Sequence, residues 1–201
     1  MDKHQCFIGV DIETGGLPGA QNADDPNIPV GMTGLQHYPI LEVAIVLVDN
    51  NMKLLDEGIR VVLELTPEQA DKNLSPWSKA EFQDTLIPEC LLKGLPLAEA
   101  EKALLQYLDG HGIKLGNGTR YTLLGNSVEF DAAFIGHKLP TLASLFSYRL
   151  VNVSTMNELF LRYQPSVANK IKKRRAHTAM ADIRETVAEL DVYLKFLGAI
   201  E

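Results

Sequence analysis

The sequence predicts an α/β domain built on a mixed sheet, and three observations carry that prediction. An apolar run near the amino end, Phe7 to Ile12, closes in two acids one residue apart, Asp11 and Glu13, as a strand end does. A β-branched, almost wholly apolar segment from Ile40 to Val48 then turns at Asp49-Asn50-Asn51 into a second run through Ile59, Val61 and Leu63, which makes a hairpin. After that, strand-like and helix-like segments alternate to the end of the chain. A hairpin first and alternation later is the order of a mixed sheet. No internal repeat or composition break divides the chain, so 1–201 is expected to be one domain.

The elements follow in order. Residues 15–39 hold Leu17-Pro18-Gly19, Asp24-Asp25-Pro26-Asn27 and Pro29 without periodicity, and read as a long loop insertion. Structureless loops of that length in compact domains are often functional lids or disordered. The continuous apolarity of 40–48 fits a strand covered on both faces. Thr66-Pro67-Glu68 has the form of an N-cap followed by proline at the first helical position. Helical or irregular structure should continue past Trp77, Phe82 and Leu86.

Pro96-Leu97-Ala98-Glu99 opens a helix whose stripe is Leu97, Ala100, Leu104, Tyr107 and Leu108. Residues 110–120, with Gly116-Asn117-Gly118, read as a turn-rich connection. Tyr121 to Gly125 is a short strand. Asn126 with Glu129 three residues on has the spacing of a capping box, which would start a helix with Asp131 near its first turn. A short strand over 148–153 and a short helix over 155–163 follow. The last helix, 178–197, shows one seam: Ile183, Val187, Leu190, Leu194 and Leu197.

Composition narrows the class. An apolar fraction of 46% with 22% charged residues is that of a soluble globular domain. No apolar run reaches the roughly 18 residues of a membrane span, and Met1 to Gln5 lack the layout of a signal peptide. Cys6 and Cys90 form no metal-binding pair, Cys6 reads as a small buried thiol, and a reducing cytoplasm is the expected compartment. A net charge of −7 argues against a long sequence-independent grip on nucleic acid, which needs many phosphate contacts. A short nucleic-acid substrate whose phosphates meet bound metal is compatible with it. The one unusual charge run, Lys170-Ile171-Lys172-Lys173-Arg174-Arg175, reads equally as a phosphate-contacting loop and as an exposed basic turn.

The candidate chemistry lies at the two ends of the chain. Alternate strand residues share a face, so Asp11 and Glu13 present their carboxylates side by side. Two anions so close repel unless a cation lies between them, and hard divalent cations suit oxygen ligands. A strand ending in solvated acids is the bland alternative. Near the carboxyl end, His177 and Asp182 are five apart, a rotation of about 140° on a helix. They converge only if His177 precedes the helix while Asp182 is fixed in an early turn.

Asp11-x-Glu13 at a strand end, Asp131 after Gly125-Asn126, and His177-x4-Asp182 before and within the last helix strongly resemble the DEDDh 3′-to-5′ exonucleases of the RNase H-like superfamily. Within that family the likeness is closest to the oligoribonucleases. The runs Ile40-Leu41-Glu42-Val43-Ala44, Gly125-Asn126-Ser127, Tyr148-Arg149, Val153-Ser154-Thr155 and Asp182 to Leu190 carry it.

The resemblance implies an RNase H-like mixed five-stranded sheet flanked by helices. It implies 3′-to-5′ exonucleolytic hydrolysis of short single-stranded nucleic acid, RNA before DNA, with two Mg²⁺ or Mn²⁺ ions. Asp11 would bridge the ions, Glu13, Asp131 and Asp182 would complete their shells, and His177 would be the general base. Thr14, Leu17, Asn126, Ser127, Phe130, Tyr148 and Arg149 fall at substrate-contacting positions. In the family a tyrosine and arginine matching Tyr148 and Arg149 act from a second subunit, which implies a homodimer. A leucine after the first motif wedges against a base; Leu17 matches by position, and Met32-Thr33-Gly34-Leu35 repeats the local pattern.

The departures are specific. The 15–39 loop is longer than in oligoribonucleases, Phe130 replaces a glutamine, Phe82 stands where a histidine is expected after Trp77, and Asn152 replaces an aspartate. With Phe130 able to stack on a base, oligomers of several nucleotides are expected to be degraded at least as well as dinucleotides. A DNA exonuclease of proofreading or phage type and a module that has lost catalysis are the competing readings. The second conflicts with the presence of all four acids and the histidine.

Overall fold

The computed structural model describes residues 6–116, 118–172 and 178–201. In chain order the elements are β1 (Cys6–Thr14), α1 (Gly34–His37), β2 (Ile40–Asp49), β3 (Ile59–Val62), α2 (Pro67–Lys72), α3 (Pro76–Phe82), α4 (Leu86–Lys93) and α5 (Leu97–Gly110). They continue with β4 (Tyr121–Gly125), α6 (Glu129–Lys138), α7 (Pro140–Ala143), β5 (Phe146–Asn152), α8 (Val153–Tyr163), α9 (Pro165–Ala168) and α10 (Ala179–Phe196). The strands form one five-stranded sheet of order β3-β2-β1-β4-β5. The β1–β2 and β2–β3 pairs are antiparallel, and β1–β4 and β4–β5 are parallel. The mixed sheet expected from the sequence is therefore present.

Strand alternation divides the core between two faces. Ile8, Val10 and Ile12 of β1, with Val43, Ile45 and Leu47 of β2, pack under α5, α6 and α7. Ala44, Val46 and Val48 of β2 and Leu124 of β4 pack under α8, α9 and α10. Burial on both faces explains why β2 is apolar from Val43 to Val48. A third cluster, Leu41, Leu65, Leu74, Phe82, Leu86 and Cys90, closes the edge under α2 to α4. Thr66 caps α2 as its sequence implied, accepting from the Gln69 N–H at 3.1 Å with Pro67 at the helix start.

Three expectations change. The 15–39 segment is not a structureless lid: Ile28 is fully buried, Tyr38 is 1% exposed, and α1 forms at its end. The seam of α10 ends early, because Leu197 is 57% exposed while Tyr193 takes the buried position. The capping box at Asn126 is absent. Val128 occupies the N-cap of α6 without a side-chain cap, since Asn126 and Glu129 are drawn into contacts with α10 and the end of β5. Among the described residues no helix is long and apolar enough to cross a membrane.

Candidate active site

Gly9, Asp11 and Glu13 share the face of β1 that α10 covers. A Cβ on Gly9 would stand 2.7 Å from Val46 Cγ2 and 3.2 Å from Ile183 Cγ1. The missing side chain lets α10 lie directly on β1. Asp182 precedes Ile183 in the first turn of α10, so the same close packing delivers its carboxylate to the acids of β1. Oxygens of Asp11, Glu13 and Asp182 all lie within 4.8 Å of one another.

Asp131 arrives from the other side. The parallel pairing of β1 with β4 runs through Ile8–Leu123 and Gly9–Leu124, and β4 ends at Gly125. The Ile12 N–H lies beyond that end and donates instead to Asp131 Oδ1 at 2.9 Å, a buried bond. Asp131 is 4% exposed in the first turn of α6. The turn before α6 uses a left-handed Ser127 (φ 46°). Asn126 Nδ2 donates to Thr186 Oγ1 at 2.6 Å, and the Ser127 N–H donates to Ser154 Oγ at 3.1 Å. These contacts tie the turn after β4 to the start of α8 and to α10.

Electrostatics marks the site. Burial, then repulsion from Asp11 and Asp182, pushes the Glu13 carboxyl up to about 8. Burial likewise raises Asp131 to about 8, against the opposing effect of its bond from Ile12. Glu42, directly across from Glu13, is buried but held by Arg60, whose Nε donates to Glu42 Oε1 at 2.8 Å. The repulsion among Asp11, Glu13 and Asp182 is of the kind a divalent cation offsets. All-oxygen donors suit a hard ion, so the donor set fits divalent metal use.

Beside the acids lies a cleft of ≈ 590 Å³. Glu13, Thr14, Leu17, Tyr38, Trp77 and Phe130 are among the residues that line it. Helix α3 is locked to the end of β1: the Ser75 N–H donates to Gly15 O at 2.6 Å and Ser78 Oγ to Thr14 O at 3.1 Å. Thr14 Oγ1 donates to Gly16 O at 2.8 Å, so its side chain shapes the turn. Leu17 is 68% exposed at the cleft, whereas Leu35 packs on the core. Of the two leucines, Leu17 is therefore the one at the cleft. Phe130 rests on Phe134 with ring centroids 5.3 Å apart.

Tyr148 and Arg149 lie elsewhere. They sit on the edge strand β5, with Tyr148 87% exposed and the Arg149 guanidinium 5.6 Å from its ring centroid, and neither lines the cleft. His177 and 173–175 of the basic run lie outside the described residues; Lys170 and Lys172 are exposed. Trp77 was not among the sequence candidates. Its signal was legible: the only tryptophan of the chain follows Ser75-Pro76, a helix-start signature that leaves the indole at the first turn.

A five-stranded mixed sheet with carboxylates gathered at the end of its central strand is the RNase H-like frame, and it defines the molecule as a nuclease of that superfamily. An exonuclease family of the RNase T type matches residues 9–190. The chain belongs to this family, as an oligoribonuclease-like 3′-to-5′ exonuclease. It is 33% identical to an oligoribonuclease of Photorhabdus laumondii over 169 residues, 83% of this chain and 91% of that protein. It is 34% identical to one of Corynebacterium diphtheriae over 83% of this chain and 79% of that protein.

Among solved structures, exonuclease I of Methylocaldum szegediense superposes with a TM-score of 0.64 at 17% identity, covering 95% of this chain and 40% of that one. Pop2p of S. pombe superposes at 0.63 with 13% identity, covering 97% and 86%. These two likenesses concern the fold.

Proposed function

We propose that the protein removes nucleotides from the 3′ end of short single-stranded RNA by metal-dependent hydrolysis. The observation that carries this reading is the convergence of Asp11, Glu13 and Asp182 oxygens within 4.8 Å, beside a cleft lined by aromatic and apolar side chains. Asp11, Glu13, Asp131 and Asp182 would hold two Mg²⁺ or Mn²⁺ ions. Bound there, the ions would stabilise the attacking and leaving oxygens of an in-line displacement at phosphorus.

The chain's own residues do the rest. His177 accepts the proton of the attacking water as general base, a task suited to an imidazole titrating near neutral pH. Leu17, Trp77 and Phe130 take the base of the 3′ nucleotide, since every base offers a face for stacking. Asn126 and Ser127, in the turn after β4, meet the chain on the 5′ side. Tyr148 and Arg149, exposed on the edge strand and away from their own cleft, serve the site of a second subunit, so the working form is a homodimer. The whole chain acts as one domain. The cytoplasm is the compartment this reading assigns, in keeping with the buried thiols of Cys6 and Cys90.

Labelled RNA and DNA oligomers of two, three, five and ten nucleotides, incubated with Mg²⁺, Mn²⁺ or chelator, test the proposal. The expected result is stepwise shortening from the 3′ end, faster on RNA, abolished by chelator, and at least as efficient at five nucleotides as at two. DNA cleaved in preference to RNA would favour the DNA exonuclease reading instead. A steep optimum at two would restore a strict dinucleotidase.

A further inference from the structure

The 15–39 insertion is built around one buried hydrogen bond. Tyr38 is 1% exposed, and its hydroxyl donates to Asp25 Oδ2 at 2.7 Å. Asp25, 2% exposed, also accepts the Asn27 N–H at 2.9 Å through Oδ1. The Tyr38 ring is packed against bare backbone: a Cβ on Gly16 would stand 2.4 Å from it and one on Gly34 2.8 Å. A Cβ on Gly34 would also stand 2.0 Å from Leu17 O, so Leu17 passes over Gly34 where no side chain fits. Three backbone bonds close the loop over this centre: Gly34 N to Ala20 O at 2.7 Å, Leu35 N to Pro18 O at 2.9 Å and Ala20 N to Leu17 O at 3.2 Å.

The main chain of Leu17 is therefore clamped between the strand end and the Tyr38–Gly34 layer, while its side chain stands 68% exposed at the cleft. We propose that the insertion is a fixed wall of the base cleft, and that Tyr38 and Asp25 are positioning residues that hold Leu17 in place before the nucleotide arrives. The inference rests on the reading of the cleft as the site of the 3′ nucleotide. Its physical basis is preorganisation: a wedge already ordered does not lose freedom on binding, so the contact appears in affinity. Removing the tyrosine hydroxyl leaves a buried carboxylate oxygen without its donor and loosens the layer beneath Leu17.

The test uses the single tryptophan, which lines the same cleft and reports occupancy without turnover. The full-length protein is titrated with adenosine 5′-monophosphate and Mg²⁺ while Trp77 fluorescence is followed. In parallel, kcat and KM are measured on a labelled RNA dinucleotide. Leu17→Ala should raise KM and the nucleotide Kd about tenfold. Tyr38→Phe, which keeps the packed ring, should raise both about three- to tenfold with kcat within twofold. The double variant should be no weaker than Leu17→Ala alone, because both changes remove one contact.

Asp25→Asn keeps one of the two carboxylate contacts and should show a smaller rise in the same direction. It replaces Tyr38→Phe if that variant fails to fold. Unchanged KM and Kd in the variant measured, multiplicative effects with Leu17→Ala, or a fall in kcat alone would each overturn the inference. A wild-type protein that neither hydrolyses the dinucleotide nor responds to the monophosphate overturns the functional reading and this inference with it. Wild-type binding with an unaffected Tyr38 variant overturns this inference alone.

Discussion

The acids and the cleft beside them are built from different material. Asp11, Glu13 and Asp182 stand on the central strand and on the long terminal helix, elements packed into the core through Ile8, Val10 and Ile12 and through Ile183, Val187 and Leu190. Leu17, Tyr38 and Trp77 stand on a loop and a seven-residue helix, held by isolated hydrogen bonds of backbone and side chain rather than by ladders. On the proposed reading, the chemical end is fixed by the core, and the recognition end by local contacts at its margin. Changes at the first should therefore act on rate, and changes at the second on affinity.

The largest effect is expected from Asp11→Ala. If Asp11 holds metal as proposed, its loss should reduce kcat by several orders of magnitude while the melting temperature holds. Near-normal turnover in a folded variant would break the division. His177→Ala should slow the chemical step by roughly 10²–10⁴-fold and leave Mn²⁺ affinity intact. Single-turnover rates paired with calorimetry decide it; lost metal affinity would make His177 a ligand instead of a base.

Gly9→Ala probes the packing that joins the two acid-bearing elements. Overpacking against Val46 and Ile183 should cost about 1–3 kcal/mol in denaturant melts and weaken Mn²⁺ binding, because α10 must move off β1 and carry Asp182 with it. Unaltered metal affinity in that variant would separate the helix position from the site.

The smallest effect is on stability against pH. Glu13 rises from an ordinary 4.5, and Asp131 from 3.8, to about 8 in the folded, metal-free protein. For groups raised in this way, the stabilising contribution is complete below the unfolded values near 4 and is lost as pH climbs through 8. Metal-free protein should thus melt lower at pH 9 than at pH 6. Mn²⁺, which favours the charged carboxylates, should remove that slope, and Asp131→Asn should flatten it. Thermal scans across pH with and without metal read all three.

The same contrast governed what was legible from residues alone. Asp11 and Glu13 were readable because strand alternation places them together, whereas Asp131 and Asp182 were singled out by the family resemblance and not by periodicity. Asn126 and Glu129 were misread as a local cap. Their side chains reach Thr186 and Asn152 across the fold, and nothing in spacing distinguishes the two uses. Leu197 had the right period but lies past the last turn that the sheet covers, so exposure rather than pattern decided it. The Tyr38–Asp25 bond joins residues 13 apart in a loop with no periodicity, and a contact of that kind has no sequence signature. Leu17 and Leu35 have matching local sequence and parted only when the second turned into the core.

The most direct test of the central claim is calorimetric titration of Mn²⁺ into the protein with a non-hydrolysable RNA dinucleotide bound. The acids converging on β1 predict two ions per chain in the wild type, and loss of that binding in Asp11→Ala. No Mn²⁺ binding in the wild type, or the same stoichiometry and affinity in Asp11→Ala, would contradict the account.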